Sequence, residues 1–421
     1  MNDGFRKELL DMMQEIQTVD CHSHTCLKRE YYQSGQRNLF NLMSYFERDI
    51  QSATGKSSDQ LYLEAKSDEE RWQIFKGVLD RTRNVSYWRH NMVVYRGLFG
   101  LEDDELNDEN WSAVNERIKK ASADPNWYHY VTKDVCNLAT QIRNIPWFED
   151  WEPEYFTAVL RMESALVLYD KDTRESLEKH LNRSFDNLTS LKRGLADLVE
   201  EYRQRGAVGI KLAHAYRRTL FSEPVDEQTA TQIFTRVLLG EKLSTEEMKQ
   251  FEDHIIFFLA GLAGDLGLIF QIHTGVQGNW GYIPDSDPLH LLPLLSANRH
   301  TRFDLFHAGY PYSRHIGMLG KHWPNVWLNM CWMYVITMEG SRQSLSEWID
   351  LVPVERLLGF GSDVGWPEMI YGHLVMARSC IADVLAEKVR RDFLSETVAM
   401  DIARKILRDN GVAFYGLSKS G

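Results

Sequence analysis

The stretch Thr18-Val19-Asp20-Cys21-His22-Ser23-His24 is a short apolar run that ends in two histidines separated by one residue. In a β-strand, residues i and i+2 point to the same face. The stretch therefore predicts a strand whose carboxyl end presents the imidazoles of His22 and His24 side by side, where one cation could bridge them. A His-x-His pair occurs by chance in many proteins, so its meaning depends on the later strands.

Strand-like apolar runs alternate with helix-like segments along the rest of the chain. After the first strand, we predict strands at 127–132, 156–162, 207–212, 268–273, 302–307, 326–330 and 357–363. Near-continuous apolar strands between helices indicate a parallel sheet covered by helices. Eight such strands favour an α/β fold of the (β/α)8 TIM barrel type over an open doubly wound sheet, and no Gly-x-Gly-x-x-Gly motif follows the first strand.

Residues 28–126 are polar, rich in aromatic residues and helix-like. We predict a helical insertion after strand 1 that covers the site and influences substrate choice, since barrel enzymes vary such loops. An insertion that is decorative or forms oligomer contacts is the alternative. No convincing domain boundary is visible, so 1–421 is predicted to be one domain. Further helices are predicted at 2–17, 185–203, 371–385 and 395–410, and a capping box at Ser244 and Glu247.

The composition excludes several classes of function. A formal net charge of −12 argues against a nucleic-acid partner, because phosphate binding needs a basic face. Five scattered cysteines, never in Cys-x-x-Cys form, indicate neither a disulfide framework nor a zinc ribbon, and fit a reducing compartment. No run of 18 apolar residues and no signal peptide is seen, so we expect a cytoplasmic protein outside the membrane. Whether the chain forms a homo-oligomer is left open.

Polar residues with metal-ligand chemistry follow strands 1, 4, 5, 6 and 8. They are His22, His24, Lys211, His273, His307 and Asp363. In a barrel these strand ends lie on one rim, where active sites occur. Four imidazoles and a carboxylate suit a divalent cation such as zinc, with one or two ions bound. Taken singly, a strand-end histidine is more often structural, and Asp363 could cap the next helix.

Lys211 is unusual among these candidates, because an ammonium group has no lone pair to give a metal. A buried lysine can lose its proton, take up CO2 and become a carbamate that bridges two ions. An ion-pair partner, or a contact to a substrate carboxylate or phosphate, is the alternative. Other residues just past the strands could bind a small-molecule substrate, with the arginines on a carboxylate. They are Tyr216, Arg217, Tyr310 and Arg314, together with Trp332 and Trp366, which would line the pocket or belong to the core.

These motifs resemble the amidohydrolase superfamily. The matching segments are His22-Ser23-His24, Lys211, Gln271–Gly275, Leu305–Pro311 and Gly361-Ser362-Asp363. From about residue 155 onward the chain resembles most the amidohydrolase domain fused ahead of glutamine synthetase in nodulin-type and fungal proteins, although we expect no synthetase domain within residues 1–421. It is similar, more distantly, to uronate isomerases.

The resemblance implies a metal-dependent hydrolase of a C–N or C–O bond in a small, carboxylate-bearing substrate. Metal-activated water would attack, Asp363 would take its proton, and His307 or the metal would polarise the carbonyl. A uronate isomerase is the alternative: it would hold one metal, leave Lys211 and His307 for other roles, and interconvert an aldose and a ketose sugar acid. A catalytically silent domain used for binding or assembly is a third hypothesis.

Overall fold

The computed structural model describes residues 3–43, 45–62, 65, 67–278 and 281–417. The chain divides into two compact units. The first unit comprises Met1–Gln141, Cys331–Ser346 and Gly359–Arg408. The second unit comprises Ile142–Met330, Glu347–Leu358 and Asp409–Gly421. The expectation of one domain stays a prediction.

An eight-stranded sheet has its strands in sequential order from the first to the eighth. The strands are β1 (Thr18–Ser23), β2 (Leu138–Ile145), β3 (Phe156–Arg161), β4 (Gly209–Leu212), β5 (Ile269–Ile272), β6 (Arg302–Leu305), β7 (Val326–Asn329) and β8 (Leu357–Leu358). Every neighbouring pair from β3 to β8 is parallel. Sequential parallel strands joined by helices make a (β/α)8 TIM barrel, and the predicted fold class is confirmed.

The first unit is rich in helices. They are α1 (Asp3–Glu15), α2 (Lys28–Gln33), α3 (Glu47–Thr54), α4 (Ser58–Tyr62), α5 (Asp68–Thr82), α6 (Ser86–Phe99), α7 (Trp111–Ser122), α8 (Trp127–His129), α16 (Met333–Ile336), α18 (Pro367–Arg390) and α19 (Glu396–Arg404). The segments Tyr130–Val135 and Lys405–Asp409 are π-helical. The helical insertion after strand 1 is therefore confirmed, and so is the N-terminal helix.

The predicted second strand at 127–132 is wrong. This segment is helical, and its buried residues Tyr128, Val131 and Thr132 have the spacing of one helix face. The actual β2 is Leu138–Ile145, whose sequence carries Arg143 and several uncharged polar residues, so it lacks the apolar run by which the other strands were found.

The second unit alternates strands with longer helices. They are α9 (Glu163–Leu166), α10 (Lys171–Leu181), α11 (Leu188–Gln204), α12 (Glu227–Leu238), α13 (Thr245–Asp265), α14 (Leu292–Ala297), α15 (Ser313–His322) and α20 (Asn410–Tyr415), while α17 (Met338–Leu351) begins in the first unit and ends in the second. The predicted capping box is confirmed, since Ser244 accepts from the Glu247 backbone N–H and the Glu247 side chain accepts from the Ser244 N–H. Strands 3 to 7 lie within a residue or two of their predicted positions.

Polar side chains are buried between β5, β6 and β7 in the second unit. The Asp304 carboxylate accepts hydrogen bonds from Gln271 Nε2 (3.0 Å), Asn329 Nδ2 (3.0 Å) and the Tyr415 hydroxyl (2.5 Å). Burial raises the pKa of Asp304 to about 6. The register sets Lys211 beside Gln271 and Gln271 beside Asp304. This network satisfies a buried carboxylate, as a packed interior requires.

Among the described residues, α18 is the one helix long and apolar enough to cross a membrane by length and composition. However, 78% of its apolar window is buried inside the protein. A core helix meets the same criterion.

Candidate metal centre and active site

Three of the predicted ligands come together in the first unit. The Nε2 atoms of His22 and His24 lie 3.3 and 3.4 Å from Oδ1 of Asp363. The ligand atoms of the three residues all lie within 4.8 Å of one another. We call these residues the His-His-Asp trio.

Strand β1 delivers both histidines. All six residues of β1 are buried, and His24 follows directly at its end. The two rings face the same side, with centroids 4.8 Å apart and planes at 81°. The side chain of His22 is fully buried, while that of His24 is 37% exposed, so His24 marks the side of the trio that solvent can reach.

The segment after β8 brings Asp363 to β1. The predicted strand 357–363 is too long, because regular pairing ends at Leu358. The backbone nevertheless continues beside β1: Cys21 N donates to the Phe360 carbonyl (3.0 Å), and Asp363 N donates to the His22 carbonyl (3.0 Å). Asp363 itself has φ of +50°, a left-handed conformation that aspartate tolerates better than most residues.

Glycine is required at position 361 for this close approach. A Cβ at Gly361 would lie 2.4 Å from Cβ of Cys331 and 3.1 Å from the backbone nitrogen of His22. Any larger residue would push the segment that carries Asp363 away from the strand that carries His22.

The chemistry of the trio fits a divalent cation. Two neutral imidazole nitrogens and one carboxylate oxygen are ligands that zinc and similar borderline ions accept. Three protein ligands would leave further coordination positions for water or substrate, as catalytic metal sites do. The donor atoms of the trio therefore fit a divalent cation. The identity of the ion stays a prediction.

His273 and His307 come together in the second unit. Nε2 of His307 lies 2.9 Å from Nδ1 of His273, and Nε2 of His273 lies 2.8 Å from the Val276 carbonyl. Since a carbonyl only accepts, His273 carries its hydrogen on Nε2, and its Nδ1 accepts from His307. Both ring nitrogens of His273 are thus hydrogen-bonded in this arrangement, and metal binding by this pair, like a catalytic role for His307, stays a prediction.

Lys211 is buried on β4 with its Nζ over the ring of Phe306, 4.7 Å from the ring centroid. The face of an aromatic ring attracts a cation and repels an anion. This position suits a protonated ammonium, and carboxylation of Lys211 is an untested prediction.

Two of the predicted substrate-binding residues lie at the end of the 3-10 turn His214–Tyr216 that follows β4. The ring of Tyr216 lies 4.7 Å from that of His273, and its hydroxyl accepts from Gly278 N (3.0 Å). Arg217 is 43% exposed and reaches Glu252 at 3.5 Å. Arg217 is therefore accessible to an anion, although its role remains a prediction.

The other predicted substrate-binding residues have different surroundings. Arg314 is 83% exposed and paired with Glu347 (2.7 Å), and its role in binding substrate stays a prediction. Tyr310 contributes its carbonyl, which accepts from Val276 N. Trp332 is buried in the first unit, with its ring 4.7 Å from that of Tyr45, so the alternative of a core residue fits its burial.

Trp366 is predicted to line the pocket or to belong to the core. The guanidinium of Arg37 lies over its ring, with Cζ 3.8 Å from the ring centroid. Nearby, buried Glu368 accepts from the Tyr31 hydroxyl and from Trp127 Nε1 (2.9 Å). Burial raises the pKa of Glu368. This cluster joins the start of the helical insertion to the start of α18 through buried polar contacts.

Two residues around the trio were missed by the sequence analysis. The Asp20 carboxylate accepts from Ser362 N (2.8 Å) and His22 N (3.3 Å), and His373 Nδ1 donates to the Ser362 carbonyl (2.8 Å). Asp20 could have been found, because it shares a strand face with His22 and His24. His373 lies in the middle of a helix and has no sequence signal.

Comparison with known proteins identifies the family. A sequence model described as amidohydrolase matches residues 190–417, which is more than half of the chain. The chain belongs to the amidohydrolase family. Members of this family usually bind a divalent metal, in agreement with the His-His-Asp trio.

Curated relatives and solved structures extend this result. A uronate isomerase of Nostoc punctiforme is 24% identical over 351 residues, covering 76% of this chain and 73% of that protein. Protein fluG of Emericella nidulans is 26% identical over 261 residues, 59% of this chain but 29% of that protein. The crystal structure of a uronate isomerase from Thermotoga maritima superposes with a TM-score of 0.82 and 15% identity, covering 98% and 97% of the two chains. The resemblance inferred from sequence is confirmed.

Proposed function

We propose that this chain is an isomerase that interconverts the aldose and ketose forms of a uronate, with one divalent cation held by His22, His24 and Asp363. The observation that carries the proposal is the trio itself, a compact set of three ligands that suits a single ion. The similarity to the Nostoc punctiforme uronate isomerase, which extends over about three quarters of both chains, supports it.

The reaction moves one hydrogen between neighbouring carbons. A base removes the proton from C2 of the aldose, the C2 hydroxyl becomes a ketone, and a proton returns to C1 as the aldehyde becomes an alcohol. When bound, the cation would withdraw electrons from the substrate's oxygens and make the C2 proton more acidic. We assign the proton transfer to Asp363, because it is the carboxylate of the trio and a general base must lie within reach of the proton that it removes.

The two histidines have different tasks in this proposal. His22 is fully buried and fixes one side of the trio, since its backbone is bonded to Asp20 and Asp363. His24 is partly exposed and lies where a substrate arriving from solvent first meets the trio. The trio thus has one rigid side and one accessible side, as binding of a small molecule next to an ion requires.

Hydrolysis, the main activity expected from sequence, has less support. The two-metal form of that mechanism needs a carboxylated Lys211, and an anionic carbamate would lie against the face of the Phe306 ring. The Nostoc punctiforme relative, of which 73% is covered by the match, is named a uronate isomerase. Isomerisation needs only the one cation that the trio suits, so it requires less than two-metal hydrolysis does.

The test is an assay of the metal-loaded protein against a panel of hexuronates, followed by proton NMR. We expect one or more members to be converted into the corresponding ketose, and Asp363→Asn to abolish conversion while the fold is retained. A parallel panel of amides and lactones of small carboxylic acids is the comparison. Hydrolysis of that panel with no conversion of any hexuronate would overturn the proposal.

A further inference from the structure

The peptide unit before Asp363 is held at both of its ends. Its carbonyl, that of Ser362, accepts from His373 Nδ1 (2.8 Å), and its N–H, that of Asp363, donates to the His22 carbonyl (3.0 Å). One residue earlier, the Ser362 N–H donates to Oδ1 of Asp20 (2.8 Å). Two side chains from distant parts of the sequence thus fix the backbone on both sides of Ser362.

Both of these side chains are fully buried and are used for nothing else in the proposed reaction. Asp20 and His373 are 0% exposed. Among the described residues, Oδ2 of Asp20 and Nε2 of His373 make no hydrogen bond. Burying a polar group costs free energy unless it is hydrogen-bonded. In Asp20 the bonded atom is Oδ1, which accepts from Ser362 N and His22 N, and in His373 it is Nδ1, which donates to the Ser362 carbonyl. These bonds are therefore what offsets the burial of the two side chains.

The backbone of Asp363 needs this support. Its φ of +50° is uncommon for a residue other than glycine, and such a conformation persists only where the surroundings hold it. Fixing the peptides on both sides of Ser362 holds the backbone that leads into Asp363, and so limits where the Asp363 carboxylate points relative to Nε2 of His22 and His24.

We propose that Asp20 and His373 are positioning residues for the metal centre, which form a two-sided clamp on Ser362 and hold Asp363 in the geometry that binds the cation. The inference uses the cation of the proposed function but does not depend on the substrate. In other metal sites, partners of the ligands contribute about 10–100-fold to metal affinity.

A second buried histidine, which contacts the helix that carries His373, offers a matched control. His90 of α6 is also 0% exposed and donates one ring N–H to a backbone carbonyl, that of Met369 (2.8 Å). Among the described residues its Nδ1 makes no hydrogen bond, as with Nε2 of His373. His90 therefore matches His373 in burial and bonding, but its partner Met369 lies in α18 rather than next to Asp363.

The experiment titrates Co2+ into metal-free wild type, His373→Leu, His373→Asn and His90→Leu, and follows the visible absorption of the bound ion. The melting temperature of each metal-free protein is measured in parallel. We expect His373→Leu to weaken Co2+ binding about 10–100-fold and to change the Co2+ spectrum. His373→Asn, whose amide can donate from the position of Nδ1, should bind close to wild type, and so should His90→Leu even where its melting temperature falls.

Asp20→Asn and Asp20→Val form a second pair, used also if His373→Leu does not fold. Asparagine keeps an acceptor oxygen and should retain the affinity, whereas valine should lose it. Three results would overturn the clamp: unchanged Co2+ affinity in both His373→Leu and Asp20→Val, equal weakening in His90→Leu, or no Co2+ binding by wild type.

If the variants weaken Co2+ binding as expected but wild type converts no uronate, the proposed function is overturned and the clamp is not.

Discussion

Nε2 of His22 lies 3.3 Å from Oδ1 of Asp363, although the two residues come from opposite ends of the sequence. The contact forms because the segment after β8 continues beside β1, where Cys21 N donates to the Phe360 carbonyl. The residues next to His22 and Asp363 in the sequence do not indicate that the two side chains lie together. The His-His-Asp trio therefore forms because the segment that carries Asp363 lies beside the strand that carries His22 and His24.

The two histidines of the trio should differ in their effect on stability but agree in their effect on metal binding. His22→Ala leaves a cavity in a fully buried site and should lower the free energy of unfolding of the metal-free protein by about 2–3 kcal/mol. His24→Ala removes a partly exposed ring and should cost under about 1 kcal/mol. Urea unfolding gives these values, and metal content after dialysis should fall in both. Retention of a full equivalent of metal by either variant would contradict the trio.

Arg217 is expected to bind the substrate carboxylate. Losing one charge-assisted hydrogen bond costs about 1.5–3 kcal/mol, so Arg217→Ala should raise KM about tenfold or more with a smaller change in kcat. Steady-state kinetics on the uronate that is converted measures this. Arg314→Ala is the control, because Arg314 is 83% exposed and paired with Glu347, and its KM should match wild type. An unchanged KM in Arg217→Ala would remove Arg217 from the proposed site.

Lys211 should remain uncarboxylated in the active protein. Its Nζ lies over the Phe306 ring, where a positive charge is stabilised and the negative charge of a carbamate is not. Carbon-13 NMR of protein equilibrated with labelled bicarbonate should show no carbamate signal, and activity should be the same in CO2-free buffer. A carbamate resonance that disappears in Lys211→Met would restore the two-metal hydrolase as a candidate.

Buried His90 should contribute to loss of stability in acid. Burial lowers its pKa from 6.5 to about 4, so between these values the unfolded chain binds more protons than the folded one. Stability therefore falls as the pH decreases from about 6.5 toward 4, by up to about 3 kcal/mol for this one group. The free energy of unfolding measured from pH 7 to pH 5 should fall less steeply in His90→Leu than in wild type. Parallel curves for the two proteins would contradict this.

The sequence predicted those parts of the structure that depend on local pattern. The side-by-side arrangement of His22 and His24 follows from the two-residue period of a strand, and the later strands from their apolar runs. Strand β2 was missed because Leu138–Ile145 includes polar residues. The aromatic run at 127–132 predicts a strand, but the segment is helical and its buried positions have helical spacing.

The rest of the site depends on contacts between distant residues. Nothing in the sequence around His373 indicates that its ring bonds the carbonyl of Ser362. Likewise, Arg217 and Arg314 both follow a strand and looked alike in sequence, yet Arg314 is 83% exposed and Arg217 is 43% exposed. Exposure and pairing are set by helices whose packing the sequence pattern does not specify.

The most direct test of the account is deuterium exchange during turnover of a uronate in 2H2O by metal-loaded protein, read by NMR. Because the reaction passes a proton between C2 and C1, we predict deuterium at C1 of the ketose and at C2 of the recovered aldose, and none with Asp363→Asn. Absence of conversion and of deuterium incorporation across all hexuronates, in protein that holds its cation, would contradict the account.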